Sequence, residues 1–183
     1  MLKPAILLLP ATLTLIAANG WAQTPSPKGT TGDATATASG TFIDSQSQPI
    51  GDVRLQQTPH GVLVKIDLTN APPGVHAVHI HSVGKCDAPS FESAGGHFDP
   101  AARKHGFLNP AGPHAGDLPN LDVPATKKLS MEYHVPGMTL DRGSLPLVDA
   151  DGFALVIHAG KDDYTSDPAG ASGDRLACAR VAK

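Results

Sequence analysis

The sequence lacks several features that define large classes of protein. Its Lys and Arg residues are scattered and its formal net charge is only -3, so no basic stripe is present that could follow a phosphate backbone. No apolar pattern of helical period runs for three turns, and 19 Gly with 17 Pro interrupt the chain too often for long helices. These absences argue against a nucleic-acid partner and against a helical fold.

Only the N-terminus carries a long apolar run, from Ala5 to Ala18, with small residues at Gly20 and Ala22. With Lys3 before it, this order is typical of a secretory signal and predicts removal of residues 1–22. The run is shorter than the roughly 20 residues that span a bilayer and no second run follows, so we expect no stable membrane anchor, with a retained anchor as the alternative. We therefore expect an exported protein, with the periplasm as its expected location.

Removal of the signal leaves 183 − 22 = 161 residues, which suits one domain with a single core. Residues 23–33 are rich in Thr, Ser, Pro and Gly and carry too few apolar side chains to fold alone. We expect a flexible segment there, followed by one folded domain over residues 34–183.

Short segments with alternating apolar and polar residues recur between turn residues, which predicts β-strands. They are Thr35–Ile43, Asp52–Gln57, Val62–Leu68, His76–His81, Leu129–His134 and Phe153–His158. Two long stretches without strand pattern, from Cys86 to Leu121 and from Ala159 to Asp174, are rich in loop-forming residues. Loops of this length inside a compact domain are usually functional or disordered. We expect an all-β sandwich or barrel with two long functional loops.

The two cysteines, Cys86 and Cys178, lie far apart in the sequence. Neither has a second Cys two to four residues away, which is the spacing of Cys-based zinc sites. In an oxidising compartment such a pair most simply forms a disulfide, and two free thiols or a metal site are the alternatives.

Seven of the nine histidines fall in three compact clusters. His79 and His81 are two residues apart, so on a strand both rings project from the same face. His76 has the opposite parity, and we expect it to be structural. His158 ends another predicted strand on the face opposite to Phe153, so it can join the pair if the two strands share a sheet.

The first long loop supplies His97, His105, His114 and Asp117. Three His and one Asp form a suitable tetrahedral set for zinc, whereas three or four His without an enforced tetrahedron suit copper. A single His is most often solvent-exposed or hydrogen-bonded, but seven of them beside loop glycines and an Asp favour a metal centre.

Two sequence runs resemble signatures of the copper/zinc superoxide dismutase family. Gly74-Val-His-Ala-Val-His-Ile-His81 resembles its Gly-x-His-x-x-His-x-His motif, and Arg175-Leu-Ala-Cys178 resembles its C-terminal motif. Ala94-Gly-Gly-His-Phe-Asp-Pro100 and His114-Ala-Gly-Asp-Leu-Pro-Asn120 resemble the bacterial secreted members. The resemblance extends from about Ala34 to the C-terminus and implies an eight-stranded Greek-key β-barrel.

The resemblance also implies a role for each candidate residue. Copper would be bound by His79, His81, His97 and His158, and zinc by His97, His105, His114 and Asp117. Asp162 would accept hydrogen bonds from His79 and His105 and so orient both rings. Arg175 would lie beside the copper, and Cys86 and Cys178 would form the family disulfide.

The activity implied by the resemblance is dismutation of superoxide to dioxygen and hydrogen peroxide, with one copper and one zinc per chain. Copper would cycle between two oxidation states, because zinc offers no redox chemistry. His97 would take up and return a proton, and Arg175 would attract the small anion, unless it is a structural partner of Asp174. The expected biological role is protection of the cell envelope against superoxide.

Two other functions remain open at the level of the residues. An exported protein that stores or delivers copper or zinc could use the same ligands, although storage does not require Arg175 beside an open copper site. A structural β-domain stabilised by metals would need closed coordination at copper. The sequence leaves the oligomeric state open, with a homodimer as one option.

Overall fold

The protein is described by a computed structural model over residues 36–141, 146–148 and 151–181. The predicted signal at residues 1–22 and the predicted flexible segment at residues 23–33 lie outside the described residues. Within the described residues, no helix has the length and the apolarity needed to cross a membrane.

The described part of the chain contains nine strands, and buried and exposed side chains alternate most clearly along the second of them. The nine strands are β1 (Thr37–Asp44), β2 (Pro49–Thr58), β3 (Gly61–Leu68), β4 (Gly74–His76), β5 (Val78–His81), β6 (Leu121–Val123), β7 (Leu129–Pro136), β8 (Phe153–His158) and β9 (Arg175–Val181). A single turn of 3-10 helix, Glu92–Ala94, accompanies them.

Seven of these strands form one antiparallel sheet in the order β5-β8-β9-β1-β2-β3-β7, and β4 pairs with β6. Three pairs of neighbours, β5 with β8, β9 with β1 and β3 with β7, are far apart in sequence and require crossover connections. The predicted all-β fold with Greek-key connections is confirmed.

The predicted strand over His76–His81 is divided into β4 and β5 at Ala77. The Ala77 amide donates to the Gly160 carbonyl, and the His158 amide donates to the Ala77 carbonyl. At this residue the chain therefore leaves its pairing with β6 and joins β8. Counted as one bent strand, β4 and β5 bring the nine described strands to the expected eight.

The main core consists of side chains that face inward from the curled sheet. Val53 and Leu55 of β2, Val64 of β3, and Leu155 and Ile157 of β8 are all at most 1% exposed. Since successive residues of a strand face opposite sides, Ala154 and Val156 lie on the other face of β8. There they form a second, smaller cluster with Phe91, Ala94 and Cys178. This cluster fixes the loop after β5 against β8 and β9.

A disulfide joins Cys86 to Cys178, with a Cα–Cα distance of 5.7 Å. Cys86 belongs to the long loop after β5, and Cys178 lies fully buried in β9. The predicted disulfide is confirmed, and it covalently ties the loop to the sheet.

Candidate metal centre

Two neighbouring strands and one loop bring together the first group of histidines. His79 and His81 lie on β5, which pairs with β8, and His158 ends β8. His97 reaches the same place from the loop, through a backbone bridge with His81. One ring nitrogen from each of the four residues lies within 4.8 Å of the others.

Each ring of this group presents a nitrogen that has no partner. Within the described residues, the buried His79 Nδ1, His81 Nε2, His97 Nε2 and His158 Nε2 make no hydrogen bond. A buried polar atom without a partner costs free energy, so native structures rarely leave one unpaired, and four such ring nitrogens together fit a metal site.

The opposite nitrogen of three of these rings is fixed by the protein. His79 Nε2 lies 2.9 Å from Asp162 Oδ2, and His81 Nδ1 lies 2.9 Å from the Gly95 carbonyl. His158 Nδ1 lies 3.2 Å from the Gly173 carbonyl. Because these acceptors require an N–H, they leave the lone pair of the opposite nitrogen free to bind a metal.

The protonation state of the group also suits a metal. Burial, reinforced by the charge of His97, lowers the pKa of His81 to about 2. Burial lowers the pKa of His158 to about 3 and that of His97 to about 4. All three rings are therefore neutral at neutral pH, which is the form in which histidine binds metals.

A second group adjoins the first across His97. The Nδ1 atoms of His97 and His105 each lie 3.0 Å from Asp117 Oδ1. His114 Nδ1 lies 3.3 Å from the same oxygen and 3.2 Å from His97 Nδ1. The other carboxylate oxygen of Asp117 accepts hydrogen bonds from the Gly106 and His114 amides, which aims Oδ1 at the three rings.

One ligand atom from each of His79, His97, His105 and Asp117 also lies within 4.8 Å of the others. The hydrogen bond from His79 Nε2 to Asp162 commits that nitrogen, and the free Nδ1 of His79 belongs to the first group. His114 is therefore the better fourth member of the second group. Three nitrogens and one oxygen match the ligand preference of zinc.

The charges of the second group are strongly coupled. Burial lowers the pKa of His105, but the hydrogen bonds to Asp117 and Asp162 outweigh it and raise the pKa to about 9. Burial raises the pKa of both carboxyls, whereas the hydrogen bonds from His105 and a second histidine hold the pKa of Asp117 and of Asp162 well below the usual range.

An open cavity leads from solvent to the first group. This cavity of about 780 Å³ is lined by His81, His97, His158 and Arg175. His105, Asp117 and His114 do not line it and are at most 9% exposed. A small solute in the cavity would therefore contact three rings of the first group, whereas no residue that belongs to the second group alone lines the cavity.

Arg175 is held at the edge of this cavity by backbone carbonyls. Its guanidinium donates to Phe91 O at 2.6 Å and to Gly95 O at 2.7 Å. Burial lowers the pKa of Arg175, but an Arg side chain stays charged in proteins. Two carbonyls, rather than the Asp174 carboxylate, thus fix the cation that faces the cavity.

Several supporting residues of the centre were missed in the sequence. The Gly95 and Gly173 carbonyls orient His81 and His158, but a backbone acceptor leaves no signal in residue type. Asn120 and Tyr164, which contact Asp162, come from two loops that meet only in the folded chain.

His76, predicted to be structural, is hydrogen-bonded away from both groups. Its Nδ1 contacts the His158 carbonyl at 2.9 Å and its Nε2 contacts the Pro72 carbonyl at 3.0 Å. Neither ligand group found among the described residues includes it.

Fold and site together define a histidine-rich metalloprotein in which two ligand groups adjoin at the edge of a Greek-key sheet. The sequence model of one family, copper/zinc superoxide dismutase (SODC), matches residues 49–181. Superoxide dismutase [Cu-Zn] 1 of Aquifex aeolicus is 48% identical over 142 residues, which cover 76% of this chain and 84% of that protein.

Solved structures agree with the sequence comparison. The crystal structure of a SOD-like protein from Bacillus subtilis has a TM-score of 0.75 at 37% identity, over 78% of this chain and 96% of that chain. Cu/Zn superoxide dismutase from Brucella abortus has a TM-score of 0.62 at 27% identity, over 79% of this chain and 99% of that chain. The chain belongs to the copper/zinc superoxide dismutase family, a family of oxidoreductases that use copper and zinc.

Proposed function

We propose that this protein dismutes superoxide to dioxygen and hydrogen peroxide. One observation carries the proposal: two ligand groups share His97, and the cavity that Arg175 lines is also lined by three histidines of the group without a carboxylate and by no residue that belongs to the second group alone. A metal in the group that lines the cavity meets small anions, whereas a metal in the other group does not. A redox metal must be accessible to its substrate, whereas a structural metal need not be.

The free nitrogens and the short contacts support one assignment of the ligands. Copper would be bound by His79, His81, His97 and His158, through the four buried nitrogens that have no partner among the described residues. Zinc would be bound by His97, His105, His114 and Asp117, since the Nδ1 atoms of the three rings lie 3.0–3.3 Å from Asp117 Oδ1. Asp162 joins the two sites by bonding one ring of each.

When bound, copper supplies the change of oxidation state that both halves of the dismutation need. The protein supplies the capture of the substrate, because Arg175 places a fixed positive charge on the wall of the cavity. Charge in a cleft with low-dielectric walls raises the local concentration of an oppositely charged substrate. The hydrogen bonds of the Arg175 guanidinium to Phe91 O and Gly95 O also fix its orientation.

His97 is the residue suited to handle a proton. Its Nδ1 is engaged with Asp117 and His114, whereas its Nε2 is buried and has no partner within the described chain. His97 also lines the cavity, so whenever Nε2 is not bound to a metal a proton held there can pass to an anion in the cavity. Dismutation consumes two protons for each peroxide formed, and His97 Nε2 is the proposed donor of one of them.

The biological setting is also a proposal. A disulfide between Cys86 and Cys178 is stable in oxidising compartments and rare in the cytosol. The disulfide and the signal-like order of residues 1–22 together support export to the periplasm. There the domain over residues 34–183 would protect the cell envelope from superoxide.

The test is superoxide decay in the presence of protein loaded with copper and zinc, compared with metal-free protein and with protein given zinc alone. We expect rapid turnover only when copper is bound, and we expect azide or cyanide to change the copper spectrum, because the cavity reaches the copper ligands. Stoichiometric uptake of both metals without turnover would instead favour storage or delivery of metal. A copper spectrum unaffected by either anion would favour a structural metal.

A further inference from the structure

Asp162 bonds His79, which is assigned to the first ligand group alone, and His105, which belongs to the second group alone. Its Oδ2 lies 2.9 Å from His79 Nε2 and its Oδ1 lies 2.9 Å from His105 Nε2, and its side chain is fully buried. A carboxylate in this position transmits its own displacement to both rings. What holds Asp162 in place therefore sets the geometry of both groups.

Asn120 grips the backbone of Asp162 from the neighbouring loop. The Asn120 amide oxygen accepts the Asp162 N–H at 2.8 Å, and its amide nitrogen donates to the Asp162 carbonyl at 3.0 Å. This two-point contact fixes both the position and the orientation of the Asp162 backbone. Asn120 stands three residues after Asp117, so the same segment carries a member of the second ligand group and the support of Asp162.

Tyr164 closes the arrangement from the other side. Its backbone N–H donates to Asp162 Oδ1 at 2.6 Å, and its hydroxyl oxygen accepts the Asn120 N–H at 2.8 Å. Its carbonyl accepts from the Leu108 amide at 2.9 Å, and its ring contacts Phe107 at a centroid distance of 5.4 Å. Tyr164 thus connects the loop that carries Asp162 to the loop that carries His105.

Two glycines allow this close approach. A Cβ on Gly170 would overlap the Asp162 carboxylate, and Gly170 also has a φ of +65° that favours glycine. A Cβ on Gly106, which has a φ of +104°, would overlap the Tyr164 carbonyl. The backbone itself therefore forms the wall against which the carboxylate and Tyr164 are packed.

The geometry points to Asn120 and Tyr164 as positioning residues that hold the Asp162 carboxylate between the two metal sites. This inference rests on the proposed function, because it assigns Asp162 to rings that bind metals. Residues that orient a ligating histidine typically change metal affinity by about 10–100-fold when they are lost. Asn120 and Tyr164 bond Asp162 rather than a ligating histidine, so we expect their loss to change metal affinity by an amount at the lower end of that range.

The test compares Asn120→Ala and Tyr164→Phe with Tyr133→Phe. Tyr133 is a matched control, because its hydroxyl donates to the Pro119 carbonyl at 2.9 Å, next to Asn120, and makes no hydrogen bond with Asp162 in the described part of the chain. Each variant is loaded with copper and with zinc or cobalt. The measurements are the rate of zinc loss to a chelator, the visible spectrum of cobalt in the zinc site and the melting temperature.

We expect zinc loss about tenfold faster in Asn120→Ala, a smaller acceleration in Tyr164→Phe, and a shifted cobalt spectrum in both. Tyr133→Phe should lower the melting temperature without changing either the zinc loss or the cobalt spectrum. If all three variants change only the melting temperature, the positioning role is wrong and the contacts are merely structural. If the unaltered protein takes up no cobalt, the metal assignment itself is wrong, and the inference is rejected with it.

Discussion

Arg175 and His81 donate hydrogen bonds to the same backbone carbonyl, that of Gly95. The Arg175 contact measures 2.7 Å and the His81 Nδ1 contact measures 2.9 Å. The cation that faces the cavity and a ring of the first ligand group are thus fixed against one atom. Because both bond the Gly95 carbonyl, the distance between the Arg175 guanidinium, the proposed attractant of substrate, and the His81 ring, a proposed copper ligand, is fixed.

Removal of the Arg175 charge should slow capture of superoxide. Arg175→Ala is expected to lower kcat/KM by about tenfold or more at low salt, and to weaken its dependence on ionic strength, because attraction of an anion to a cleft is screened by salt. Arg175→Lys is the control, since it keeps the charge and loses the paired contacts to Phe91 O and Gly95 O. Superoxide decay measured over a range of salt concentrations, with metal contents determined in parallel, checks the prediction. Unchanged kinetics in the alanine variant would contradict the steering role.

Loss of the Asp162 carboxylate should loosen both metals. Asp162→Asn keeps the size of the side chain but removes one acceptor and the negative charge that His79 and His105 face. We expect zinc affinity to fall by about 10–100-fold, with a smaller effect on copper. Asp163→Asn is the matched control, because Asp163 is exposed and bonds Ser166 and Thr165. Competition with a chelator measures both affinities, and equal behaviour of the two variants would refute the role of Asp162.

The division of the ligands can be tested with two alanine variants. His158→Ala removes a member of the first group, and His114→Ala removes a member of the second, while His97 stays in both proteins. We expect the first variant to lose copper in preference to zinc and the second to lose zinc in preference to copper. Metal analysis after dialysis against a weak chelator distinguishes the two. Equal loss of both metals from each variant would argue against two separate sites.

Metal-free protein should lose stability as the pH falls below about 6.5. The folded chain lowers the pKa of His81, His158 and His97 from 6.5 to about 2, 3 and 4. Between these values the unfolded chain binds protons that the folded chain does not, so the free energy of unfolding falls with falling pH.

His105 acts in the opposite sense, because its raised pKa of about 9 gives stability that is complete below 6.5 and is lost as the pH rises through 9. Below pH 6.5 the three histidines lower the free energy of unfolding, and above pH 6.5 His105 lowers it, so stability is greatest near neutral pH. Because three groups act on the acid side and one on the alkaline side, stability falls more steeply in acid. Melting temperatures of metal-free protein between pH 4 and pH 10 check this shape. A melting temperature that rises steadily below pH 6.5 would contradict the assigned pKa directions.

Opening the disulfide should be costly, because it closes a loop of 92 residues. In the chain-entropy model a loop of this size contributes roughly 4–5 kcal/mol to the free energy of unfolding. Denaturant unfolding of metal-free Cys86→Ser/Cys178→Ser protein, compared with the unaltered metal-free protein, measures the contribution without interference from metal loss. A difference below about 1 kcal/mol would show that the constraint on the unfolded chain is unimportant here.

The fold was predictable where one side of a strand faces solvent. Alternation located β3 closely, where buried and half-buried residues alternate. The bounds of β8, Phe153–His158, were also predicted, although all six of its residues are buried. Alternation fails for β9, which lies between β8 and β1, because Ala177, Cys178 and Ala179 are all fully buried. β6 is only three residues long, too short to show any period.

The ligating residues of the candidate site could be predicted from the sequence, but the groups that orient them could not. Histidines spaced two apart on a strand, or beside loop glycines, are visible in the sequence, and the structure brings them together. The acceptors that orient them are backbone carbonyls of Gly95 and Gly173, which any residue could provide. The contacts of Asn120 with Asp162 join positions 42 residues apart, and no local pattern foretells how two loops meet.

The loop that carries His97 also covers the open side of β5, which is the edge strand of the main sheet. Ile80 donates to the Gly116 carbonyl and accepts from the Phe98 amide, at 2.8 and 2.7 Å, and Ser82 donates to the Gly96 carbonyl at 3.0 Å. An unpaired strand edge is a template for addition of a strand from another molecule. By anchoring this loop, the metals would also cap the sheet, so that release of metal becomes a route to self-association as well as a loss of activity.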